Sequence, residues 1–582
     1  MPIITVENLK YRYPNTKRLA LDSLSFTVER GEFLGLIGEN GAGKSTLCQA
    51  LIGLVPQFHK GAYGGRVLVD GQEAAVTPVA QLCRSVGLVF QNPFNQLSGA
   101  KDTVYEEVAF GMQNLGIERE EMHRRARQAL ERLGIWAYRD RNPFDLSGGQ
   151  MQRVAIASVL VMQPKVIVLD EPTSQLDPQG TQEVFRAVEE LAAGGITIVM
   201  AEQKIEQLAA HCGRLLLLHE GKLAACDTPR RVFSLENWEQ YGVQAPVFTR
   251  VCRALEKRLP DGTYPVTAAE AAQALGKTVS ESGGAANRKN VQQEGALPET
   301  PSYIMTPAGT WESSETFQLR EVSFGYRPQA KVLDGLALSL DARPTAIIGQ
   351  NGAGKTTLVK LLKGLLKPQA GTICFREEDV ADKTVAAMAR YVGYVFQNPD
   401  DQIFKYKVLD EVMFGPLNIG MSEEEAKKAA LAALREVGLE GREQDNPYDL
   451  ELYERKMTAI ASVLAMRTDV LILDEPTIAQ DERGRARIGG MIQRLAENGR
   501  LVIAVLHDMD FVAEYFERVI VMAHGRVVAD GSAAQVFAQR EALEAAALER
   551  PYAAQLGGKL GLDAAVLTAG DLIAALRSAA ET

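Results

Sequence analysis

Two glycine-rich segments of this 582-residue chain have the composition and spacing of phosphate-binding loops. Each ends in a lysine and a hydroxyl residue, Lys44-Ser45 in the first segment and Lys355-Thr356 in the second. Glycines let backbone N–H groups close around phosphate oxygens, the lysine neutralises the terminal phosphates, and the hydroxyl is a ligand for Mg²⁺. Two matches at a repeat spacing disfavour the alternative of simple glycine-rich turns. The residues predicted to bind nucleotide here are Gly38, Asn40, Gly41, Gly43, Lys44, Ser45, Thr46, Gly349, Asn351, Gly352, Gly354, Lys355, Thr356 and Thr357.

Each loop is followed by a short apolar run that ends in Asp-Glu-Pro-Thr, 126 and 119 residues after the loop lysine. We expect Asp170 and Asp474 to hold the Mg²⁺ shell. Glu171 and Glu475 come next, at the exit of a predicted strand, where a general base can polarise the attacking water. A lone Asp-Glu pair is usually a pair of solvated acids, but its recurrence after both loops favours a catalytic role.

Glutamines and tyrosines near the loops are further candidates. Gln91 and Gln397 each stand in Val-Phe-Gln-Asn-Pro, and the shared context indicates a nucleotide-sensing loop. Tyr13 and Tyr326 could stack on a base, although an aromatic residue at an early strand end is often part of the core. The predicted Mg²⁺ ligands are Ser45, Thr356, Gln91, Gln397, Asp170 and Asp474.

One segment in the first half, residues 146–150, is suited to hold a nucleotide from the opposite side, and we call it the signature segment. Ser147 and the N–H groups of Gly148 and Gly149, with Gln150, open a predicted helix whose N-terminus favours an anion. In the second half the matching residues, 450–454, read Leu-Glu-Leu-Tyr-Glu. Here Cβ atoms would block close approach to the backbone.

Glu451 and Glu454 would also repel phosphate, so the second half lacks a working copy of that segment. A second loss falls in the first half of the chain. The first half has Gln203 where the second has His507, and we call this the switch position. The residues expected to act on the attacking water are Glu475, His507, Glu171 and Gln203.

The chain is a duplication, because its landmarks recur at offsets of 304 to 311 residues. Short β-branched runs before each Asp-Glu pair predict buried strands of a mostly parallel sheet, and Ala/Leu-periodic stretches predict covering helices. We predict an α/β fold with tandem P-loop NTPase domains, each with a small helical C-terminal tail. The predicted parts are a first ATPase domain (1–235), its tail (236–276), a flexible, protease-sensitive linker (277–312), a second ATPase domain (313–540) and its tail (541–582).

Composition restricts the partners and the compartment. The net charge is −11, whereas proteins that bind a phosphate backbone need a basic surface, so nucleic acid is not the predicted partner. The six cysteines show no CxxC spacing, and no apolar run approaches the roughly 20 residues that span a bilayer. The first residues lack a signal pattern, so we expect a cytoplasmic protein that reaches a membrane through partners.

These motifs together resemble the ABC-transporter ATPase family. A narrower resemblance follows the second glutamine, where residues 397–402 read Gln-Asn-Pro-Asp-Asp-Gln and residues 410–416 read Asp-Glu-Val-Met-Phe-Gly-Pro. These residues are similar to the energy-coupling-factor importers of the cobalt and vitamin type, here in a fused double-cassette form. The resemblance implies ATP and Mg²⁺, a transmembrane scaffold subunit, a substrate-binding membrane subunit, and a peripheral position on the cytoplasmic face of the cell membrane.

The family resemblance also implies head-to-tail pairing of the two cassettes within the chain. ATP on Lys355 would then meet Ser147, with Glu475 and His507 intact. ATP on Lys44 would meet the altered segment 450–454, so both losses fall on one composite site. The expected function is an ATPase that drives import of a vitamin, a vitamin precursor or a transition-metal ion, with one competent and one degenerate site.

Two alternatives stay open at this point. A soluble twin-cassette ATPase acting on ribosomes or DNA is disfavoured by the single intact signature and the acidic balance, and a sugar-importer-type fused ATPase by the Asn-Pro-Asp-Asp-Gln segment. The resemblance also implies that a scaffold arginine docks near each glutamine loop. Asp400 and Asp401 could bind that arginine more strongly than Phe94 and Asn95, unless the two acids form only a solvated turn after Pro399.

Overall fold

The computed structural model describes residues 1–174, 176–276, 316–327, 330–562 and 566–581. The predicted linker at 277–312 lies outside the described residues. In the described parts, each half contains two sheets, a layer of helices and a short helical tail. The predicted α/β fold with tandem P-loop domains is confirmed.

In the first half, an antiparallel sheet of order β2-β1-β4-β5 packs beside a mostly parallel sheet of order β10-β9-β3-β8-β7-β6. The strands are β1 (Ile4–Arg12), β2 (Leu21–Val28), β3 (Phe33–Ile37), β4 (Ala62–Val69), β5 (Gln72–Glu73), β6 (Val86–Val89), β7 (Val166–Asp170), β8 (Thr197–Ala201), β9 (Arg214–His219) and β10 (Lys222–Asp227). The helices are α1 (Lys44–Leu51), α2 (Leu54–Gln57), α3 (Val79–Leu82), α4 (Val104–Asn114), α5 (Arg119–Arg132), α6 (Gly148–Leu160), α7 (Pro178–Ala193), α8 (Ile205–His211), α9 (Pro229–Phe233), α10 (Val247–Ala254) and α11 (Ala268–Leu275).

The second half repeats this arrangement, with sheets of order β12-β11-β14-β15 and β16-β17-β18-β13-β19-β20. The strands are β11 (Phe317–Phe324), β12 (Leu333–Leu340), β13 (Thr345–Ile348), β14 (Ala370–Phe375), β15 (Glu378–Asp379), β16 (Val392–Val395), β17 (Val470–Asp474), β18 (Leu501–Val505), β19 (Arg518–Ala523) and β20 (Arg526–Ser532). The helices are α12 (Lys355–Leu362), α13 (Val385–Met388), α14 (Val408–Asn418), α15 (Glu423–Val437), α16 (Leu452–Leu464), α17 (Glu482–Glu497), α18 (Met509–Tyr515), α19 (Ala533–Ala538), α20 (Arg540–Ala545), α21 (Tyr552–Lys559) and α22 (Ala569–Glu581).

The parallel strands bring the chemistry to one edge of each sheet. Every residue of β7 and β17 is buried, as expected for strands covered on both faces. β7 pairs in parallel with β6 and β8, and β17 pairs in parallel with β16 and β18. The carboxyl ends of these strands therefore lie at the same edge, where ligands of open α/β sheets bind.

The tails of the two halves share one hydrophobic core. Val251 on α10 and Leu275 on α11 pack in the same cluster as Leu556 on α21 and Leu572 on α22. Leu543 on α20, Ala554 on α21 and Leu567 lie in the predicted second tail (541–582) and belong to the core of the second cassette, so this tail also packs on its own cassette. Within the described residues, no helix has both the length and the apolar run needed to cross a bilayer.

Candidate nucleotide sites at the two phosphate loops

Both phosphate loops have the backbone that the sequence predicts. α1 and α12 begin directly after Gly43 and Gly354, each with φ of 99° in the left-handed region that favours glycine. A Cβ on Gly43 would lie 2.4 Å from the carbonyl oxygen of Ala20, so no larger residue fits there. The loop can therefore present its backbone N–H groups at a helix N-terminus, as phosphate binding requires.

The loop lysines are held in the same way in both halves. Lys44 Nζ donates to the carbonyl oxygen of Gly38 at 2.9 Å, and Lys355 Nζ donates to that of Gly349 at 2.7 Å. Both lysines are buried. A buried ammonium needs an anionic partner, because burial disfavours its charged form. Phosphate oxygens supply that partner in P-loop proteins.

Two of the three predicted Mg²⁺ ligands lie together in each half, whereas Gln91 and Gln397 contact the neighbouring glutamates. Ser45 Oγ donates to Asp170 Oδ1 at 3.1 Å, and Thr356 Oγ1 donates to Asp474 Oδ1 at 3.4 Å. Burial raises the pKa of both aspartates, so a bound cation would favour their ionised forms. These hydroxyl and carboxylate oxygens are ligands that Mg²⁺ accepts, and the ion would neutralise phosphate charge.

Protein oxygens alone do not complete a metal site. Among the described residues, no group of three or more His, Cys, Asp or Glu side chains could hold a metal ion. In each half one aspartate and one hydroxyl residue lie together at this edge, so the remaining ligands would be the predicted glutamine, water and nucleotide phosphates. This is the usual way in which Mg²⁺ is bound with a nucleotide.

The glutamine loops contact the predicted general bases. Gln91 Nε2 donates to Glu171 Oε2 at 2.9 Å, and Gln397 Nε2 donates to Glu475 Oε2 at 3.1 Å. Glu171 and Glu475 have φ of 46° and 48°, a left-handed conformation that is strained for a non-glycine residue. The structure thus brings each predicted base and its predicted sensing glutamine together at the end of the central strand.

The residue at the switch position differs between the halves, and so do its contacts. His507 Nε2 lies 3.1 Å from Glu475 Oε1. Gln203 Nε2 lies 3.1 Å from Glu171 Oε1 and 3.2 Å from Asn40 Oδ1. An imidazole can take up a further proton and become positively charged, whereas the Gln203 amide stays neutral.

This difference gives the two glutamates opposite pKa shifts. Burial raises the pKa of Glu171 to about 7, against the opposing charge of Lys44. Burial also acts on Glu475, but the charge and hydrogen bond of His507, together with Lys355, hold its pKa below the ordinary value. Glu475 is therefore more fully ionised than Glu171 at neutral pH.

The predicted adenine-stacking tyrosines lie beside the loops. Tyr13 Oη is 3.2 Å from Thr46 Oγ1, and Tyr326 Oη is 3.4 Å from Thr357 Oγ1. Tyr326 is 60 % exposed, so its ring is open to contact, whereas Tyr13 is partly buried. Their stacking on a base stays a prediction.

The two signature segments fold alike at the backbone and differ in their side chains. α6 begins at Gly148, and Ser147 and Gln150 cap it reciprocally. α16 begins at Leu452 with the equivalent box made by Glu451 and Glu454. Both helices begin at the same aligned position. This supports the alignment of residues 450–454 with residues 146–150.

Only one of the two signature glutamates faces the opposite cassette as expected. Glu451 Oε1 would lie 3.9 Å from a Cβ on Gly41, at the first phosphate loop. Glu454 instead accepts a hydrogen bond from Arg442 at 2.6 Å and is buried. Glu454 thus pairs with an arginine of its own cassette, which Asp445 also contacts, and its expected repulsion of phosphate stays a prediction.

Two aspartates that we did not predict connect the halves. Asp177 Oδ2 accepts from the backbone N–H of Asn351 at 2.9 Å, and Asp481 Oδ2 accepts from that of Asn40 at 3.1 Å. Each thus reaches the phosphate loop of the other half. A signal was present in the sequence, because each aspartate follows the strand-end aspartate of its own half by seven residues.

Comparisons with known proteins agree with this geometry. A family model described as ABC transporter matches residues 21–174 and 333–478. The chain belongs to this family. An ABC transporter ATP-binding protein of Methanosarcina acetivorans is 36 % identical over 99 % of this chain and 94 % of its own length. One from Caldanaerobacter subterraneus is 36 % identical over 96 % of both chains.

A solved structure is also similar to part of the chain. It is cbiO1 from Clostridium perfringens, described as part of the ABC transporter complex cbiONQ. It is 34 % identical and covers 40 % of this chain and 94 % of its own, with a TM-score of 0.36. From the family match over both halves, the chain is an ATP-binding ABC protein and an ATPase.

The predicted docking acids are not equivalent in this ABC protein. Both acids are exposed, and Asp400 Oδ1 already lies 2.9 Å from Arg455 Nη1 on α16, a contact that Asp401 does not share. In the first half, Phe94 stacks on Phe144 with ring centroids 5.9 Å apart. An incoming arginine would therefore compete with Arg455 for Asp400, and the docking of a scaffold arginine on Asp400 and Asp401 stays a prediction.

Proposed function

We propose that this chain is the fused ATPase subunit of an energy-coupling-factor-type importer for a vitamin, a vitamin precursor or a transition-metal ion. It would lie on the cytoplasmic face of the membrane, bound to a transmembrane scaffold and a substrate-binding membrane subunit. Residues 397–402 and 410–416, at and after Gln397, support this subtype. Residues 91–96 and 106–111, at and after Gln91, are a variant of the same pattern. The chain's relatives carry names of ABC transporter ATP-binding proteins, which agree with a transport role.

The proposed mechanism has two unequal composite sites between head-to-tail cassettes. The contacts of Asp177 with Asn351 and of Asp481 with Asn40 support this pairing, because each crosses from one half to the other. Nucleotide bound at Lys355 would be closed off by α6 of the first half. Nucleotide bound at Lys44 would face Glu451.

Turnover is assigned to the site at Lys355. There Glu475, held ionised by His507, would orient and deprotonate the attacking water, while Gln397 would hold the other carboxylate oxygen. The single observation that carries the proposal is the coincidence of both losses on the other site. That site keeps Glu171 but pairs it with Gln203.

The test compares two matched substitutions of the same chemistry. Glu475→Gln is expected to reduce ATP turnover of the assembled complex by about 10²–10⁴-fold, the usual contribution of a general base. Glu171→Gln should leave a substantial part of the turnover. Equal losses from both substitutions would refute the asymmetric mechanism. Recovery of the chain with ribosomes rather than with membrane proteins would refute the transport assignment.

A further inference from the structure

A buried lysine lies behind the proposed competent site and is absent from the other half. Lys456 is on α16, five residues after Glu451, and its side chain is 1 % exposed. The corresponding residue of the first half, 304 positions earlier, is Gln152. A fully buried lysine is rare unless its ammonium group is bonded on all sides, so its contacts indicate its role.

The ammonium group of Lys456 makes three hydrogen bonds, all to backbone carbonyl oxygens. It donates to Phe396 O and Gln397 O at 2.8 Å and to Asp474 O at 3.0 Å. These oxygens belong to the glutamine loop and to the end of β17, directly before Glu475. A single side chain therefore joins the two segments that carry the predicted Mg²⁺ ligands and the base.

The first half shows what the same position does without a lysine. Gln152 is equally buried, yet within the described part of the chain its Nε2 has no hydrogen-bond partner. The glutamine loop and β7 of the first half thus lack this side-chain connection. In the proposed pairing, the missing lysine falls on the same composite site as the other losses, the one at Lys44, and it was not among the motif differences noted from the sequence.

We infer that Lys456 is a positioning residue for ATP turnover at the Lys355 site. It fixes the glutamine loop and the Asp474–Glu475 strand end relative to each other and to α16. Because α16 also presents Glu451 to the first phosphate loop, the same helix connects the two composite sites. This inference rests on the proposed function, since it concerns the site at which turnover is proposed.

The role predicts a loss in turnover rather than in nucleotide binding, because Lys456 contacts backbone oxygens and not the loop that holds phosphate. In the full chain, Lys456→Gln is expected to lower kcat by about 10- to 100-fold, the cost of misplaced catalytic groups. The KM for ATP should stay within about twofold. Lys456→Met, of similar length and without donors, should show the same pattern.

A metal-binding measurement separates positioning from general damage. In a Lys44→Ala background, only the Lys355 site retains its loop lysine, and Mn²⁺ can replace Mg²⁺ for electron paramagnetic resonance in the presence of ADP. Adding Lys456→Gln should weaken Mn²⁺ binding by about tenfold, as loss of a group that orients metal ligands typically does. This readout does not depend on hydrolysis.

Lys363 provides the matched control. It is also a buried lysine that donates to a backbone carbonyl, that of Val392, but at the opposite end of β16 from the nucleotide edge. Lys363→Met should lower stability while kcat per folded chain and Mn²⁺ affinity stay unchanged. An equal fall in kcat for Lys363→Met and Lys456→Met would assign Lys456 to stability alone.

The outcomes for Lys456 and for the proposed function are distinguishable. If Glu475→Gln abolishes turnover but Lys456→Gln leaves kcat and Mn²⁺ affinity at wild-type values, only the inference is overturned. It is also overturned if neither Lys456 variant folds, since the lysine would then be purely structural. If Glu475→Gln retains full turnover, the proposed function fails, whatever Lys456→Gln does to Mn²⁺ binding.

Discussion

Asp510 provides a test of the electrostatics at the junction of the two halves. It lies on α18, three residues after His507, and lines a cavity of about 250 Å³ to which both halves contribute. Its Oδ1 accepts a hydrogen bond from the backbone N–H of Tyr552, at the start of the tail helix α21, at 3.0 Å. Burial, followed by the charges of Asp508 and Glu206, raises its pKa from 3.8 to about 8.

The sign of the stability effect follows from this raised pKa. Between about pH 4 and pH 8 the folded chain keeps the proton on Asp510, whereas the unfolded chain has released it. The free energy of unfolding therefore falls as the pH rises through this window. At about 1.4 kcal/mol for each pH unit, the interval from 3.8 to about 8 corresponds to a maximum of about 6 kcal/mol.

Asp510→Asn should remove this dependence. The asparagine keeps an oxygen that can accept from Tyr552 N–H, but it has no proton to lose. The variant and the wild type should therefore unfold at nearly the same temperature near pH 4. By pH 8.5 the variant should melt on the order of 10 °C higher, at roughly 2 °C for each kcal/mol in a domain of this size.

Scanning calorimetry of the full chain from pH 4 to 8.5 measures this difference. Asp571→Asn is the control, because Asp571 also accepts from backbone N–H groups at the start of a helix, at Thr568 and Leu567, but is exposed. Both variants are compared with the wild type at the same pH values. A constant difference between Asp510→Asn and wild type across the range would refute the assignment of a protonated Asp510.

Two further experiments test the tails and the docking surface. Separate chains 1–276 and 316–582 should co-purify after coexpression because their tails share a core, and Val251→Asp, which puts a charge into that core, should abolish co-elution in gel filtration. In complexes recovered from membranes, Asp400→Ala/Asp401→Ala should reduce scaffold recovery and transport more than Phe94→Ala/Asn95→Ala. Unchanged recovery and transport for the acidic double variant would contradict the docking proposal.

Local spacing was enough to predict the groups that act at the strand ends. Phosphate loops and Asp-Glu pairs are fixed by covalent neighbours and by the backbone conformation that those neighbours adopt. The loop lysines, Ser45 beside Asp170 and Gln397 beside Glu475 therefore lie where the motifs predict. Their assigned roles in binding and catalysis stay predictions.

Contacts between distant segments could not be predicted in this way. Arg442 forms an ion pair with Glu454, twelve residues further along the chain. Arg455 forms one with Asp400, which is 55 residues earlier. Tyr394 Oη donates to the predicted metal ligand Asp474 at 2.9 Å, but in the sequence it looks like one more apolar strand residue. Such pairs depend on which way a side chain points once helix and sheet have packed, and one sequence does not specify that direction.

The fused chain also explains how unequal sites can persist. If each half paired with a copy of itself, both composite sites would be identical, and a loss in one would be a loss in both. Linked in one chain, the two halves meet at a high effective concentration, and the mixed core of their tails adds contacts between them. Asp177 and Asp481 make the same contact in both directions, so closure can stay nearly symmetric. In the proposed mechanism, the site at Lys44 can therefore specialise in holding nucleotide, while Glu475, His507 and Lys456 keep turnover at the other site.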